Sequence, residues 1–237
     1  MTLRPLPAVL TAVVGLVVLA GCGSTAAVGP RTTETREIAE VTAVELATSG
    51  DLTVEHGTSP SLTVTAGERV LPRLTSEVDD GVLRLGTERS FGWRGPGAVS
   101  YHLVVTDLEA VELAGSGDIT VDRADGETLA VSIQGSGAVR VDGVDVQGAA
   151  VSVAGSGDVV LGGRAAELQV SIEGSGAYEG EGLTSRDAAV SIAGSGDVDV
   201  EATRTLDVSI AGSGSVTHGG GARVTSDIQG SGDLRVR

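Results

Sequence analysis

Seven serines share one chemical setting, each held between two glycines: Ser116, Ser136, Ser156, Ser175, Ser195, Ser213 and Ser231. A serine among glycines invites comparison with a nucleophile elbow. That turn, however, reads Gly-x-Ser-x-Gly at a strand-to-helix junction and is needed once. Seven copies point to construction. An aspartate follows the second glycine at Asp118, Asp158, Asp197 and Asp233, with Ala138, Ala177 and Ser215 in the turns between. Gly and Asp in repeated turns is also how some solenoids bind calcium, but those have a nine-residue period with Asp in every turn. Here the period is near 20 and Asp comes in alternate turns, so no metal site is expected. His56, His102 and His218 lie far apart, without a cysteine or paired acid at ligand spacing. Neither zinc nor imidazole catalysis is expected from them, and no catalytic residue or cofactor is assigned.

The elements that carry these turns are legible in the flanking residues. The tripeptides begin at Gly115, Gly135, Gly155, Gly174, Gly194, Gly212 and Gly230, in steps of 20, 20, 19, 20, 18 and 18 residues. Four and two residues before each first glycine stand apolar pairs such as Val131/Ile133, Val151/Val153 and Val170/Ile172. After the turn, the first apolar position is Ile119, Val139, Val159, Tyr178, Val198, Val216 and Leu234 in succession. Period-2 apolar alternation on both sides of a glycine turn means half-buried strands meeting at a corner. A fixed period of this size predicts an all-β fold, a parallel β-helix (β-solenoid) with about 20-residue repeats. A 40-residue coil with two corners also satisfies the alternation of Asp and Ala. Skipping every second coil relieves an aspartate column of like-charge repulsion. Position −3, which points away from the apolar columns, is Ser132, Ser152, Ser171, Ser191 and Ser209, bracketed by Glu112 and Asp227. Stacked, these serines form a strip of small hydroxyls able to dock a second strip or an extended polymer such as glycan.

Composition agrees with a narrow core. Aromatics are 2% of the 237 residues, and the 36 glycines accompany an apolar set made almost wholly of Val, Ala, Leu and Ile. The net charge of −16 argues against nucleic acid as a partner.

Upstream, Glu40–Val54 repeats the Ala110–Val121 pattern with Thr48 in place of the first glycine, a degenerate copy expected near the start of the solenoid. Three further strand-like runs, Ser61–Thr65, Gly81–Leu85 and Ser100–Val105, separate the two copies. The intervening loop, 90–97, contains the only Phe and the only Trp of the chain. Phe91, Trp93 and Arg94 are of the types favoured at contact hot spots; the same aromatics could serve as a cap over the solenoid.

Residues 1–21 have the layout of an export signal, with Arg4 before an apolar run from Leu6 to Ala20 that is short for a membrane span. Leu19-Ala20-Gly21-Cys22 looks like the bacterial lipobox, and the sole cysteine falls at its key position. The resemblance implies cleavage before Cys22, lipidation there, and export to the outer face of a bacterial membrane, the cell surface. Residues 22–35, small and polar, suit a flexible tether, leaving 36–237 for the solenoid domain.

The lipobox, the Val-Leu-Pro-Arg-Leu and Val-Asp-Asp-Gly-Val-Leu-Arg-Leu segments within 70–85, and the Leu-Ala-Gly-Ser-Gly-Asp-Ile series from Leu113 together resemble the bacterial head GIN domain family. Its members are secreted or lipid-anchored proteins described as auto-transporter adhesins. The resemblance implies a parallel β-helix and brings no catalytic residues. The expected function is therefore a lipid-anchored, non-catalytic binding or adhesion module of the bacterial envelope. Its partners are the membrane, through the lipid on Cys22, and a glycan or envelope component, with self-association through the strip as a further possibility. Two alternatives remain open at this point. One is a carbohydrate-active β-helix enzyme, favoured if acids such as Asp79, Asp80 and Glu88 cluster with Arg84 or Arg94. The other is a structural, self-associating spacer.

Overall fold

The computed structural model describes residues 28–88 and 97–237; Cys22, Phe91, Trp93 and Arg94 lie outside them. From β8 (Ala110–Leu113) and β9 (Ile119–Val121) onward the chain winds as a parallel solenoid through β10 (Ala124–Gly135), β11 (Ala138–Gly155), β12 (Asp158–Gly174), β13 (Ala177–Gly194) and β14 (Asp197–Gly212). It finishes with β15 (Ser215–Gly219), β16 (Arg223–Gly230) and β17 (Asp233–Val236). The register decides the coil length. Val131 pairs with Val151, Val151 with Val170 and Val170 with Val190, so each tripeptide stacks on the next and one coil is one repeat of about 20 residues.

Each coil has three faces. In the coil from Ala138, Val139 and Val141 fill the first, Val144 and Val146 the second, and Ala149, Val151 and Val153 the third, all buried. The outward neighbours alternate with them, as period 2 requires. Column upon column of Val, Ile and Leu forms one continuous core. This explains how a chain with so few aromatics stays folded: the narrow interior is filled mostly by branched aliphatics, with Tyr101 and Tyr178 the two rings buried in it.

The corners depend on glycine for a reason visible in the stacking. In Gly194 the backbone has φ +142°, and a Cβ there would stand 2.3 Å from the Gly174 carbonyl oxygen of the coil beneath. Backbone links the corners: Ser195 N–H donates to Gly174 O at 2.8 Å and Asp197 N–H to Gly176 O at 3.2 Å. The corner serines themselves are exposed. The alternating aspartates have a structural role beyond sparing like-charge contacts. Asp118 Oδ1 accepts the Ala138 N–H at 2.9 Å, and Asp158 Oδ1 accepts the Ala177 N–H at 3.2 Å. Each such carboxylate satisfies a backbone donor one coil on, where the side chain is only a methyl.

Chain order and stacking order part company at the base. The degenerate copy forms β2 (Ala43–Leu46) and β3 (Asp51–His56), yet it is not the terminal coil. The later strands β6 (Val82–Thr87) and β7 (Ser100–Val105) pair parallel beneath it, while β8 and β9 pair above. Thr48, where the later copies have the first glycine, is buried at 7% exposure. Its Oγ1 accepts the Gly50 N–H at 3.1 Å.

Below this level the pairing turns antiparallel. β5 (Leu74–Asp79) runs against β6, β4 (Ser61–Gly67) against β7, and β1 (Arg31–Arg36) against β4. The tether expected through residue 35 thus gives way at Arg31 to a strand, because Thr32 to Arg36 complete the open edge of β4. Antiparallel strands end the parallel ladder and leave a short polar edge, a usual defence of sheet ends.

Arg36 fastens this cap. Its guanidinium donates to Leu74 O at 2.8 Å, Ser76 Oγ at 2.7 Å and Leu71 O at 3.2 Å, and pairs with Glu34 at 3.0 Å. One half-buried cation thereby joins β1, β5 and the 3-10 turn Leu71–Arg73. Arg36→Ala removes the charged donor from Leu74 O and Ser76 Oγ, while Leu71 O keeps the Leu74 N–H, and is expected to cost about 2–4 kcal/mol, from the usual worth of hydrogen bonds to a charged group. The check is a lower urea midpoint with an unchanged slope.

Candidate functional site: a serine-lined groove

The third face of the solenoid is where the serine column lies. β10 to β14 place Ser132, Ser152, Ser171, Ser191 and Ser209 in direct register, so each faces the next across one coil. Glu112 lies opposite Ser132 at one end and Asp227 opposite Ser209 at the other. The strip is concave. It lines a shallow open groove of about 660 Å³, whose other wall is the parallel column Ala130, Ala150, Gln169, Ala189, Asp207 and Thr225. Six coils contribute, and at a strand spacing of about 4.8 Å the groove runs on the order of 25 Å.

The reason lies in the side chains. Positions −5 and −3 face outward, the valine between them faces the core, and methyl or hydroxymethyl groups cannot fill the hollow between columns. Ser152, Ser171, Ser191 and Ser209 are exposed, with Ser132 half-buried. The groove offers hydroxyls along one wall, methyls along much of the other, and carboxylates from Asp207 and Asp227 at its C-terminal end. Such a surface can hydrogen-bond and pack against an extended chain; it contains no nucleophile–base pair.

A second groove, of about 570 Å³, lies on the first face between β11 and β14, lined by Arg140, Asp142, Glu179, Glu181 and Asp199 among others. Sequence reading did not find it, because its acids come from three coils with no shared motif. Its charge is largely engaged within the chain. Arg237 reaches Glu181 at 3.3 Å and Glu201 at 3.4 Å and also pairs with Asp199, while Arg140 meets Asp142 at 3.7 Å.

Of the residues proposed to mark a carbohydrate-active site, Asp79 meets Arg84 at 3.5 Å, and Arg84 also holds Glu45 at 3.1 Å, but Asp79 is exposed and none of these residues lines either groove. The histidines stand in separate settings. His102 Nε2 lies 3.3 Å from Glu55, and His218 is buried near the last coil. His56 Nδ1 lies 3.0 Å from Asp122. Among the described residues no three His, Cys, Asp or Glu side chains are grouped to hold a metal ion, and no helix is long and apolar enough to cross a membrane.

The Asp122 carboxylate also accepts N–H groups from His56 and Arg123. Partial burial opposes ionisation, but the donors from His56 and Arg123 prevail and hold its pKa below the ordinary value. A lowered carboxylate pKa contributes stability above the ordinary value of about 4, and that contribution is lost as pH falls through the folded value. Asp122→Asn should therefore flatten the acid limb of a stability–pH profile while leaving its alkaline limb in place.

With the corners, the three faces and the groove described, comparison with known proteins becomes specific. A family model described as putative auto-transporter adhesin, head GIN domain, matches residues 40–222. The chain belongs to this family. The matched span opens just before the degenerate repeat of β2 and β3 and closes as β16 is about to start, so it takes in most of the groove and the base strands β4 to β7.

Solved structures share the head GIN fold over nearly the whole described chain. A putative adhesin from Bacteroides fragilis NCTC 9343 has a TM-score of 0.82 at 21% identity, with 87% of this chain and 97% of that chain covered. A putative lipid binding protein from Parabacteroides distasonis ATCC 8503 has a TM-score of 0.72 at 22% identity, covering 87% and 96%. A putative adhesin from Parabacteroides merdae ATCC 43184 follows at 0.67 and 20% identity, covering 87% and 96%. Among curated proteins none matches this sequence. Membership in an adhesin-type family suggests a surface-exposed or exported protein with a binding role.

Proposed function

We propose that this head GIN domain is a non-catalytic binding module, lipid-anchored through Cys22 at the outer face of a bacterial membrane, and that it holds an extended envelope polymer, glycan foremost, in the serine-lined groove. The observation that carries the reading is the groove itself: five serines in unbroken register on an open concave face. Repeating hydroxyls at a constant spacing of about 4.8 Å suit a ligand that is itself a repeat. Methyl groups opposite them suit the apolar faces of sugar rings. Phe91, Trp93 and Arg94 are proposed as a second contact on the loop beyond Glu88.

The proposal is tested with Ser171→Trp, which places an indole in the middle of the groove at an exposed position and leaves the core untouched. The variant should melt like the wild type yet lose at least about tenfold in retention on purified cell-wall polysaccharide, the equivalent of roughly 1.4 kcal/mol. Equal retention by both proteins overturns the groove as the binding site. Retention on lipid vesicles instead of polysaccharide redirects the reading to a lipid, the ligand class named for the Parabacteroides distasonis protein. Attachment through Cys22 is checked separately, by mass spectrometry of the membrane-extracted protein and of Cys22→Ser.

A further inference from the structure

The two ends of the solenoid are finished differently. At the base, antiparallel β5, β4 and β1 close the ladder and Arg36 pins them. At the other end no strand among the described residues covers β16 and β17. Thr225 to Ser231 are all exposed. Ile228 is 38% and Val236 76% exposed, although Ile210 and His218, their register partners one coil below, are buried at 1% and 7%. Among the described residues the core is thus open to solvent at this end. An uncovered strand edge with apolar side chains is a template for pairing.

The backbone shows which groups are on offer. Along the third face, residues at the odd offsets donate to the coil beneath, as Ala130 does to Glu109 O and Ala114 to Leu46 O. N–H and C=O groups alternate direction along a strand. On β16, therefore, Val224, Ser226 and Ile228 turn theirs toward the open side.

We infer that this end is a contact surface for a second copy of the same chain, joined head to head with β16 antiparallel to β16 about a two-fold axis through Ser226. In that register Ser226 faces Ser226 of the second copy and Val224 faces Ile228, so apolar meets apolar. All of these are hydrogen-bonded positions, each facing pair exchanging two backbone bonds. On the outer side Thr225 faces Asp227 and Arg223 faces Gln229, so no like charges stand directly opposite. Charge selects this end as well. Residues 222–237 carry three arginines, Arg223, Arg235 and Arg237, against two aspartates, Asp227 and Asp233, in a chain of net charge −16. Approach of a second copy along the acidic body is repelled, whereas approach at this coil is not.

The described chain enters at the opposite, capped end, where Val28 O accepts the Arg69 N–H at 3.2 Å. If the attachment proposed above holds, the open ends point away from the membrane, and a head-to-head pair would join copies on facing surfaces. The dimer contact does not depend on that attachment.

The test uses the full chain carrying Cys22→Ser, which removes the only native cysteine. Sedimentation velocity over a roughly hundredfold concentration range should show a monomer–dimer equilibrium governed by mass action. Adding Ser226→Cys places two thiols at a Cα separation of about 5.5 Å, within disulfide reach. Mild oxidation should cross-link it at least about tenfold faster than Ser152→Cys, which sits in mid-groove on the same face. Ile228→Lys, at a position already exposed, should abolish the dimer with an unchanged circular dichroism spectrum and melting curve. A monomer at every concentration, equal cross-linking at residues 226 and 152, or a dimer that survives Ile228→Lys each overturns the inference. The groove reading is scored independently, since Ser171→Trp should still dimerise and Ile228→Lys should still bind polysaccharide.

Discussion

Gly180→Val is expected to unfold the protein or cost more than about 3 kcal/mol, and Tyr178→Val in the same chain is expected to restore it. The column after each corner reads Ile119, Val139, Val159, Tyr178, Val198, and the column two residues on reads Val121, Val141, Leu161, Gly180, Val200. Only in one coil is the pair a tyrosine and a glycine. The tyrosine ring occupies the volume that a branched side chain fills elsewhere. A Cβ at Gly180 would lie 2.4 Å from Tyr178 Cε1 and 2.7 Å from both its Cζ and hydroxyl oxygen. Tyr178 is 1% exposed and walled by the neighbouring coils, so the ring has nowhere to go.

Tyr178→Val alone leaves a cavity and should cost about 2–4 kcal/mol, the range for large-to-small core changes. The double variant recreates the Val/Val pair of the adjacent coil. It also removes the Tyr178 hydroxyl, which is buried with no hydrogen-bond partner among the described residues, and whose pKa burial pushes far above its ordinary value. Its stability should therefore equal or exceed that of the wild type. Urea unfolding of the four proteins gives the coupling energy. Additive costs in the two single variants would show that the ring and the glycine do not share the space.

Gly176→Ala is the second large effect, expected at about 3–5 kcal/mol. The second glycine of each corner packs directly over its predecessor. A Cβ at Gly176 would stand 2.3 Å from Gly157 O and 2.7 Å from Val153 Cγ1. The first is backbone in a stacked ladder and cannot swing aside. Because the corner lies in mid-stack, the loss breaks two coil–coil interfaces at once, and stability in a solenoid depends on nearest-neighbour interfaces. Gly148→Ala is the matched control. A Cβ there would meet nothing closer than Thr128 Cγ2 at 3.9 Å, so it should be neutral or stabilising by about 0.4–1 kcal/mol through the unfolded chain. Equal effects at positions 176 and 148 would mean that glycine is used in the corners for flexibility rather than for close approach.

Much of this architecture is written in one dimension. Period-2 alternation around Gly-Ser-Gly determined the parallel β-helix, the apolar columns and the outward serine column. A repeat carries the same instruction at every coil, and neighbouring coils pair in register because only that register buries all the valines together. The family resemblance was equally local, resting on the corner motif and the segments within 70–85.

Tertiary structure decided what depends on residues far apart in the chain. It chose the 20-residue coil over the 40-residue one by stacking each corner on the next. It slid β6 and β7 beneath the degenerate repeat, an inversion of chain order that no periodicity encodes, since both levels have the same strand pattern. It turned residues 31–35 from tether into cap, because a polar strand forms only where an edge awaits it. It gave the serine strip concavity, which comes from how small side chains in two columns leave a hollow between them. And among the described residues it left β16 and β17 uncovered on one side, a property of pairing rather than of local pattern. The Gly-Ser-Gly serines that first suggested chemistry are corner posts, exposed but set by backbone stacking; the surfaces with something to hold are the groove beside them and the uncovered last coil.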